Sequence, residues 1–364
     1  MQLTEEQQRR LAAIGWRVPP PGDAPVEVPD GTCVVRVIAQ HRSGYRVHDG
    51  AEEFPAQPAP RFLRRATDPS ERPAVGDFAL ADVATPLLLR ELLPRRSVLS
   101  RAAAGERLQR QIIATNIDYV FVLMGLDGDF NARRVERYLA LVQGSGARPL
   151  VVLTKRDKVD DAQLSAMLGA VRDSLPAGAE LQAINAKDAA SVVPLLAFLG
   201  HGDTAVLVGS SGAGKSTLTN TLLGVQRQAT NAVREHDSRG RHTTTHRALI
   251  ALPSGGCLID TPGMRELKLT GDENLGEAGF ADIEALALQC RFGDCAHGNE
   301  PGCAVRAALD SGVLERSRWD NFVKLRAELV ATNDTLEAQL RRKAQARVAN
   351  KALNKRLGEK YRGS

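Results

Sequence analysis

Apolar and polar positions follow two different rhythms along this chain. Between Gly31 and about Val98 the apolar runs are short: Thr32-Cys33-Val34-Val35-Arg36-Val37-Ile38, Tyr45-Arg46-Val47 and Asp77-Phe78-Ala79-Leu80-Ala81. Ser43-Gly44, Asp49-Gly50 and Val75-Gly76-Asp77 break them as turns. Roughly five short strands in such a stretch predict a small closed barrel of the OB type. From Asp118 onward, strand-like runs at 118–124, 149–153, 181–184, 204–208 and 256–259 alternate with helix-spaced segments such as 132–144 and 217–223. That alternation predicts an α/β layer. Beyond Leu314 the pattern turns helical, with Trp319, Phe322, Leu325 and Leu329 on one spacing. Ahead of the barrel, a polar helix-prone run passes into Pro19-Pro20-Pro21-Gly22-Asp23, Pro25 and Pro29, a short helix followed by an irregular arm.

Composition narrows the class. The 364 residues are 43% hydrophobic and 25% charged, typical of a soluble multidomain protein. No stretch approaches the roughly 18 continuous apolar residues of a membrane span. Met1-Gln2-Leu3-Thr4-Glu5-Glu6 lacks the basic-then-apolar pattern of a secretory signal, so a cytoplasmic location without membrane attachment is expected. The net charge of +5 favours an anionic partner. Within the tail, Arg341 to Ser364, nine Lys/Arg face the single acid Glu359, a density that favours nucleic acid. Arg36, Arg42, Arg46, Arg61, Arg64 and Arg65 would give the barrel a basic binding face. Pro94 to Arg110 reads as a basic connector.

The chemistry centres on Gly209-Ser210-Ser211-Gly212-Ala213-Gly214-Lys215-Ser216, which fits G-x-x-x-x-G-K-[ST] between the apolar run 204–208 and the helix opened by Thr217. In that setting successive backbone N–H groups and the helix N-terminus surround phosphate oxygens. Lys215 would reach the β- and γ-phosphates, and Ser216 would ligate Mg²⁺. Thr154-Lys155-Arg156-Asp157 follows a strand and matches [NT]-K-x-D, the guanine-recognition element of GTPases. An Asp157 carboxylate there accepts from guanine N1–H and its 2-amino group, which adenine cannot offer, while the Lys155 stem lies across the base. Asn185-Ala186-Lys187 stands where a second base loop closes over guanine O6, with asparagine in place of the usual serine.

The order of these parts is rotated. The guanine loops precede the phosphate loop, and the switch elements follow it. Asp260-Thr261-Pro262-Gly263 matches D-x-x-G, with Asp260 toward Mg²⁺ and Gly263 toward the γ-phosphate. Within Arg241-His242-Thr243-Thr244-Thr245, Thr244 is the first choice to complete the Mg²⁺ shell and Thr243 the second. The arrangement reads as a circularly permuted P-loop GTPase. After it, Cys290, Cys295, His297 and Cys303 form a Cys₃His set that saturates a tetrahedral zinc and leaves no open position, hence a structural ion. Cys33 and Cys257 stand apart in apolar strands.

Together, Asn116-Ile117-Asp118, Thr154-Lys155-Arg156-Asp157, the Gly209 to Ser216 loop, Arg241-His242-Thr243-Thr244-Thr245, Asp260-Thr261-Pro262-Gly263 and the Cys₃His knuckle resemble the ribosome small-subunit-dependent GTPases, the RsgA (YjeQ) family. The resemblance implies an OB-fold, a permuted GTPase core and a C-terminal zinc domain. It also implies GTP hydrolysis stimulated by the 30S subunit, contact with 16S rRNA and a role in late subunit maturation. The chain then divides into an arm (1–30), an OB-fold domain (31–100), the GTPase domain (101–285) and a mostly helical zinc-binding domain with the basic tail (286–364). GTP and GDP are the expected nucleotides, and a monomer is the simpler assembly. Met264 occupies the position where Ras-like enzymes place their water-orienting glutamine, and a thioether cannot serve. His242 is therefore the candidate to position the attacking water, against the alternative that it contacts rRNA or solvent. An ATP-dependent P-loop enzyme and a non-catalytic GTP-responsive RNA binder are the rival classes.

Overall fold

The computed structural model describes residues 2–17, 26–41, 43–66, 68–102, 110–224, 247–261, 269–270, 273–335 and 338. Helix α1 (Glu5–Ala12) opens on a capping box. The Thr4 hydroxyl accepts from the Gln7 N–H at 3.2 Å, and the Thr4 N–H donates to the Gln7 side chain at 2.9 Å. Leu11, Ile14 and Trp16 then bury themselves with Val34, Phe78 and Leu80. Trp16 meets Phe78 edge-on, ring centroids 4.9 Å apart. Residues 2–17 are thus seated on the barrel through side chains whose partners lie far along the chain.

The barrel comprises β1 (Thr32–His41), β2 (Gly44–His48), β3 (Glu53–Pro58), the short α2 (Pro60–Arg65), β4 (Phe78–Asp82) and β5 (Leu87–Leu92). Its order is β1-β2-β3-β5-β4 with β4 returning to β1, the closed five-strand OB arrangement. Alternate residues point inward, as the strand period requires: Val35 and Val37, Ala79 and Ala81, Leu87 and Leu89. The described part of the stretch read as a basic connector contains β6 (Val98–Ala102), which pairs antiparallel with β7 (Arg110–Thr115). Arg95 just before β6 forks onto the buried Asp77 carboxylate at 2.7 and 2.8 Å.

Next come β8 (Tyr119–Gly125), α3 (Ala132–Gln143), β9 (Arg148–Thr154), α4 (Asp161–Arg172), β10 (Glu180–Ala183), α5 (Ala189–Val192), β11 (Thr204–Gly209), α6 (Lys215–Leu223), β12 (Ala248–Ala251) and β13 (Cys257–Asp260). Their sheet runs β10-β9-β8-β11-β13-β12, parallel except for β12. Both faces are covered, so the strands read as continuous apolar runs. Val120, Val122 and Met124 of β8 enter one core, and Phe121 and Leu123 the other. The first core also takes in α7 (Ala281–Ala287), α8 (Ala304–Asp310) and α9 (residues 316–335) through Ile283, Val305, Phe322, Leu325 and Leu329. Glu136 of α3, almost fully buried, accepts from Arg318 at 2.8 Å, Ser174 at 2.6 Å and Asn321 at 2.5 Å. Arg137 forks onto Glu328 at 2.7 and 2.8 Å. The C-terminal helices are clamped to the α/β layer by paired charges as well as apolar contact.

Arg36 departs from the expectation for the barrel. It is fully buried, not on a basic face. Its guanidinium donates to the carbonyls of Gly76 at 3.1 Å, Asn116 at 3.0 Å and Ile14, and to the Thr204 hydroxyl at 2.9 Å. It therefore joins the N-terminal segment, the barrel and the sheet. Burial pulls it down to about 10, so it remains cationic at neutral pH. Of the other expected arginines, Arg46 pairs with Glu53, Arg61, Arg64 and Arg65 are exposed on α2, and Arg42 lies outside the described residues. Replacing Arg36 with Met keeps apolar bulk and strips the Ile14 and Asn116 carbonyls and the Thr204 hydroxyl of this donor, while the Gly76 carbonyl keeps the Asn116 amide. It is expected to weaken this joint by on the order of 3 kcal/mol, seen in scanning calorimetry as the barrel melting ahead of the α/β layer.

Candidate nucleotide site and metal centre

Because β8, β9, β10, β11 and β13 are parallel, their C-terminal ends share one edge of the sheet. In open α/β sheets that edge is where ligands bind. It gathers Thr154 to Asp157, Asn185 to Lys187, the Gly209 to Thr217 loop and Asp260, whatever their order in the chain.

The phosphate loop needs its glycines. At Gly209 (φ 149°) a Cβ would lie 2.4 Å from the Leu123 carbonyl oxygen, and Gly214 takes φ 92° at the N-cap of α6. The half-buried Ser216 and Thr217 occupy the first turn of α6, where backbone N–H groups have no intrahelical partner. Lys215 bends back to donate from Nζ to the carbonyls of Gly209 and Ser210, both at 2.7 Å. Burial lowers its ammonium to about 8, with Asp260 opposing the shift. Asp260 itself is nearly buried at the end of β13. Beside it, the Thr261 hydroxyl donates to the Leu207 carbonyl at 2.7 Å.

The base loops are tied to the phosphate loop and to each other. The buried Thr154 hydroxyl donates to the Ala213 carbonyl at 2.7 Å, crossing from β9 into the phosphate loop. The Arg156 N–H bonds the Ile184 carbonyl at 3.1 Å. Thr221 of α6 donates to the Ala186 carbonyl at 2.6 Å. Asn185 does more than stand in for serine: its Oδ1 accepts the Lys187 N–H at 3.1 Å, and its own N–H bonds Ser191 at 2.8 Å. Asp157 is exposed, with its carboxylate open to a base. Lys155 adopts left-handed backbone (φ 60°), and its ammonium pairs with Asp127. Thr221, Ser191 and Asp127 escaped the reading of the sequence, because each acts through a partner at least six residues away. A hydroxyl at position 154 was the one visible signal. Gly263, His242, Thr243 and Thr244 lie outside the described residues.

The second cluster is compact. The ligand atoms of Cys290, Cys295, His297 and Cys303 all fall within 4.8 Å of one another. Cys290 Sγ lies 3.9 Å from Cys303 Sγ, and His297 Nδ1 lies 3.5 and 3.6 Å from these sulfurs. Thiolates around a tetrahedral zinc with bonds of about 2.3 Å stand about 3.8 Å apart, so the set fits such an ion. His297 has left-handed backbone (φ 60°), and its ring stands edge-on to Trp319 at 5.5 Å. Cys303 caps α8, accepting the Arg306 N–H at 3.4 Å. The cluster could hold a metal ion.

Residues 92–270 match the pattern of the RsgA GTPase family. Over 347 residues the chain is 53% identical to the small ribosomal subunit biogenesis GTPase RsgA of Xanthomonas campestris pv. campestris, covering 93% of this chain and 94% of that one. The chain belongs to the RsgA GTPase family. Another RsgA, from Xanthomonas axonopodis pv. citri, is 54% identical over 342 residues, 91% of each chain. The fold resembles the crystal structure of YjeQ from Thermotoga maritima, with TM-score 0.59 and 22% identity over 82% of this chain and 99% of that one. It also resembles YloQ, described as a circularly permuted GTPase, with TM-score 0.57 and 22% identity over 85% and 98% of the two chains. In this chain, as the sequence order anticipates, β8 to β10 and their base loops come before the phosphate loop after β11.

The Thr154 tether is open to test. Thr154→Val keeps the shape and orphans the buried Ala213 carbonyl. GDP and GTP affinity should fall together, about fivefold, for a bond of about 1 kcal/mol. Fluorescent-nucleotide titration reads the change.

Proposed function

We propose that this chain hydrolyses GTP in late maturation of the small (30S) ribosomal subunit, and that the subunit stimulates turnover. The observation that carries this is the meeting of two base loops, the phosphate loop and Asp260 on one sheet edge. Asp157 reads the guanine edge, Lys155 supports the base face and the Asn185-Ala186-Lys187 backbone closes over O6. Gly209 to Thr217 cradle the phosphates, and Lys215 leaves its two carbonyls for the β- and γ-phosphate oxygens. Ser216, Asp260 and Thr244 would hold Mg²⁺, which supplies charge neutralisation on the phosphates when bound. Gly263 senses the γ-phosphate. His242 positions the attacking water in place of the missing glutamine, acting once the subunit is engaged.

The partner surface follows from charge. Arg61, Arg64 and Arg65 on α2 and the Lys/Arg-rich segment from Arg341 are the elements we assign to 16S rRNA. The working form we propose is a monomer in the cytoplasm, acting on ribosomal particles; among the described residues no helix is long and apolar enough to cross a membrane. We retain the division into arm 1–30, OB-fold domain 31–100, GTPase domain 101–285 and zinc-binding domain 286–364. The Cys₃His set takes one structural zinc.

The first test is turnover of GTP with and without purified 30S subunits, with ATP as control. Stimulation well above tenfold and confined to GTP is expected; equal turnover of ATP, or no response to subunits, refutes the proposal. His242→Ala should lose on the order of 10²-fold of the stimulated kcat with GTP affinity unchanged. Retained turnover would return His242 to a contact role.

Elemental analysis should find one zinc per chain, and Cys303→Ser should lose it together with the ordered packing of His297 against Trp319. A metal-free protein with an unchanged melting profile would remove the assignment.

A further inference from the structure

The end of β8 supplies a group that none of the recognised motifs includes. Gly125 pairs in register with Thr154 of β9, and the next step of the ladder is the Leu126 N–H bonding the Thr154 carbonyl at 2.8 Å. Asp127 and Lys155 therefore leave adjacent parallel strands side by side, and their side chains form an ion pair with each about a third exposed. The Asp127 loop is itself turned by the Phe130 N–H bonding the Asp127 carbonyl at 2.9 Å. Beneath the pair sits Gly125. A Cβ there would come within 2.8 Å of Asp127 Oδ1, 3.2 Å of Lys155 Nζ and 3.3 Å of Lys155 Cε. The bare glycine is what lets the lysine stem lie down over the strand end.

We propose that Asp127 is a positioning residue for the guanine base. By drawing the ammonium back over Gly125, it lays the Lys155 methylenes out as a fixed apolar shelf on which the purine face rests. A free lysine spreads over many rotamers, and ordering it on binding costs affinity; the carboxylate removes that cost before the nucleotide arrives. Asp127 need not touch the nucleotide. The shelf contacts base and not phosphate, so it contributes equally to GDP and GTP, and to affinity without altering the chemical step. This rests on the guanine reading of the 154–157 loop.

The test is titration of fluorescent GDP and GTP analogues into Asp127→Asn, with inorganic tripolyphosphate as a base-free competitor and 30S-stimulated kcat at saturating GTP. The expected result is an equal weakening of GDP and GTP of about fivefold, with tripolyphosphate affinity and saturating kcat retained. Asp127→Glu should recover most of the loss. Gly125→Ala, which crowds the pair without removing a charge, should reproduce it. In a Lys155→Met background, which keeps the stem and lacks the ammonium, Asp127→Asn should have no further effect. Unchanged GDP affinity in Asp127→Asn, fully additive effects with Lys155→Met, or a parallel loss of tripolyphosphate binding would overturn the proposal. Wild-type protein that binds ADP as tightly as GDP would instead remove the guanine reading underneath it.

Discussion

A single buried cation holds three parts of this protein in register. Arg36 sits on β1 and, among the described residues, donates to three carbonyls and a hydroxyl drawn from the N-terminal segment, the barrel and the sheet, and to no carboxylate. A guanidinium is suited to that task because its donors form a rigid planar fork aimed in several directions at once. The cost of burial is what makes the joint specific: no other relative placement of the three parts offers the same acceptors. The surrounding geometry is equally unforgiving. A Cβ on Gly15 would lie 2.1 Å from Arg36 Nη1, and one on Gly76 would lie 2.1 Å from the Thr115 carbonyl oxygen. Asn116 completes the seam by donating to the Gly76 carbonyl and accepting the Arg96 N–H, both at 3.0 Å.

From that frame the nucleotide edge follows by topology. Parallel strands deliver all their C-terminal loops to one side, so a P-loop site does not depend on which strand comes first in the chain. Permutation changes what each loop is attached to. The segment bearing Asp260 now leads, through Leu269, toward the metal cluster and α9. The Leu269 N–H bonds Glu328 at 3.3 Å, the same carboxylate that Arg137 of α3 holds. The end of the switch region and α3 therefore share one acceptor, and that acceptor belongs to the C-terminal helix.

Legibility in the sequence tracked the range of the interactions. The barrel strands, the β/α alternation, the phosphate loop, the base loops and the Cys₃His set are written in short patterns whose periods or spacings are local. Their placement was readable for that reason. Arg36 was misread because a lone arginine in an apolar strand looks the same whether it faces solvent or a seam; only acceptors at positions 14, 76, 116 and 204 distinguish the two. The connector after Pro94 shows only its charge in the sequence, whereas the described residues 98–102 are placed by pairing with β7. Asp127, Ser191 and Thr221 carry no motif at all, and their roles emerge only when strand ends and helix faces are brought together.

The antiparallel strand β12 has one further consequence. It is the last strand of the GTPase sheet, and an uncovered last strand offers its backbone groups to any other extended chain. Here that flank is met by β1, with Ala39 opposite Ala248. The opposite flank is β10, only four residues long and beginning with the exposed Glu180, a poor template for docking. The OB barrel is thus also a stopper, closing the flank of the catalytic layer that would otherwise be most prone to self-association. A fragment cut to the GTPase layer alone would carry that liability into solution.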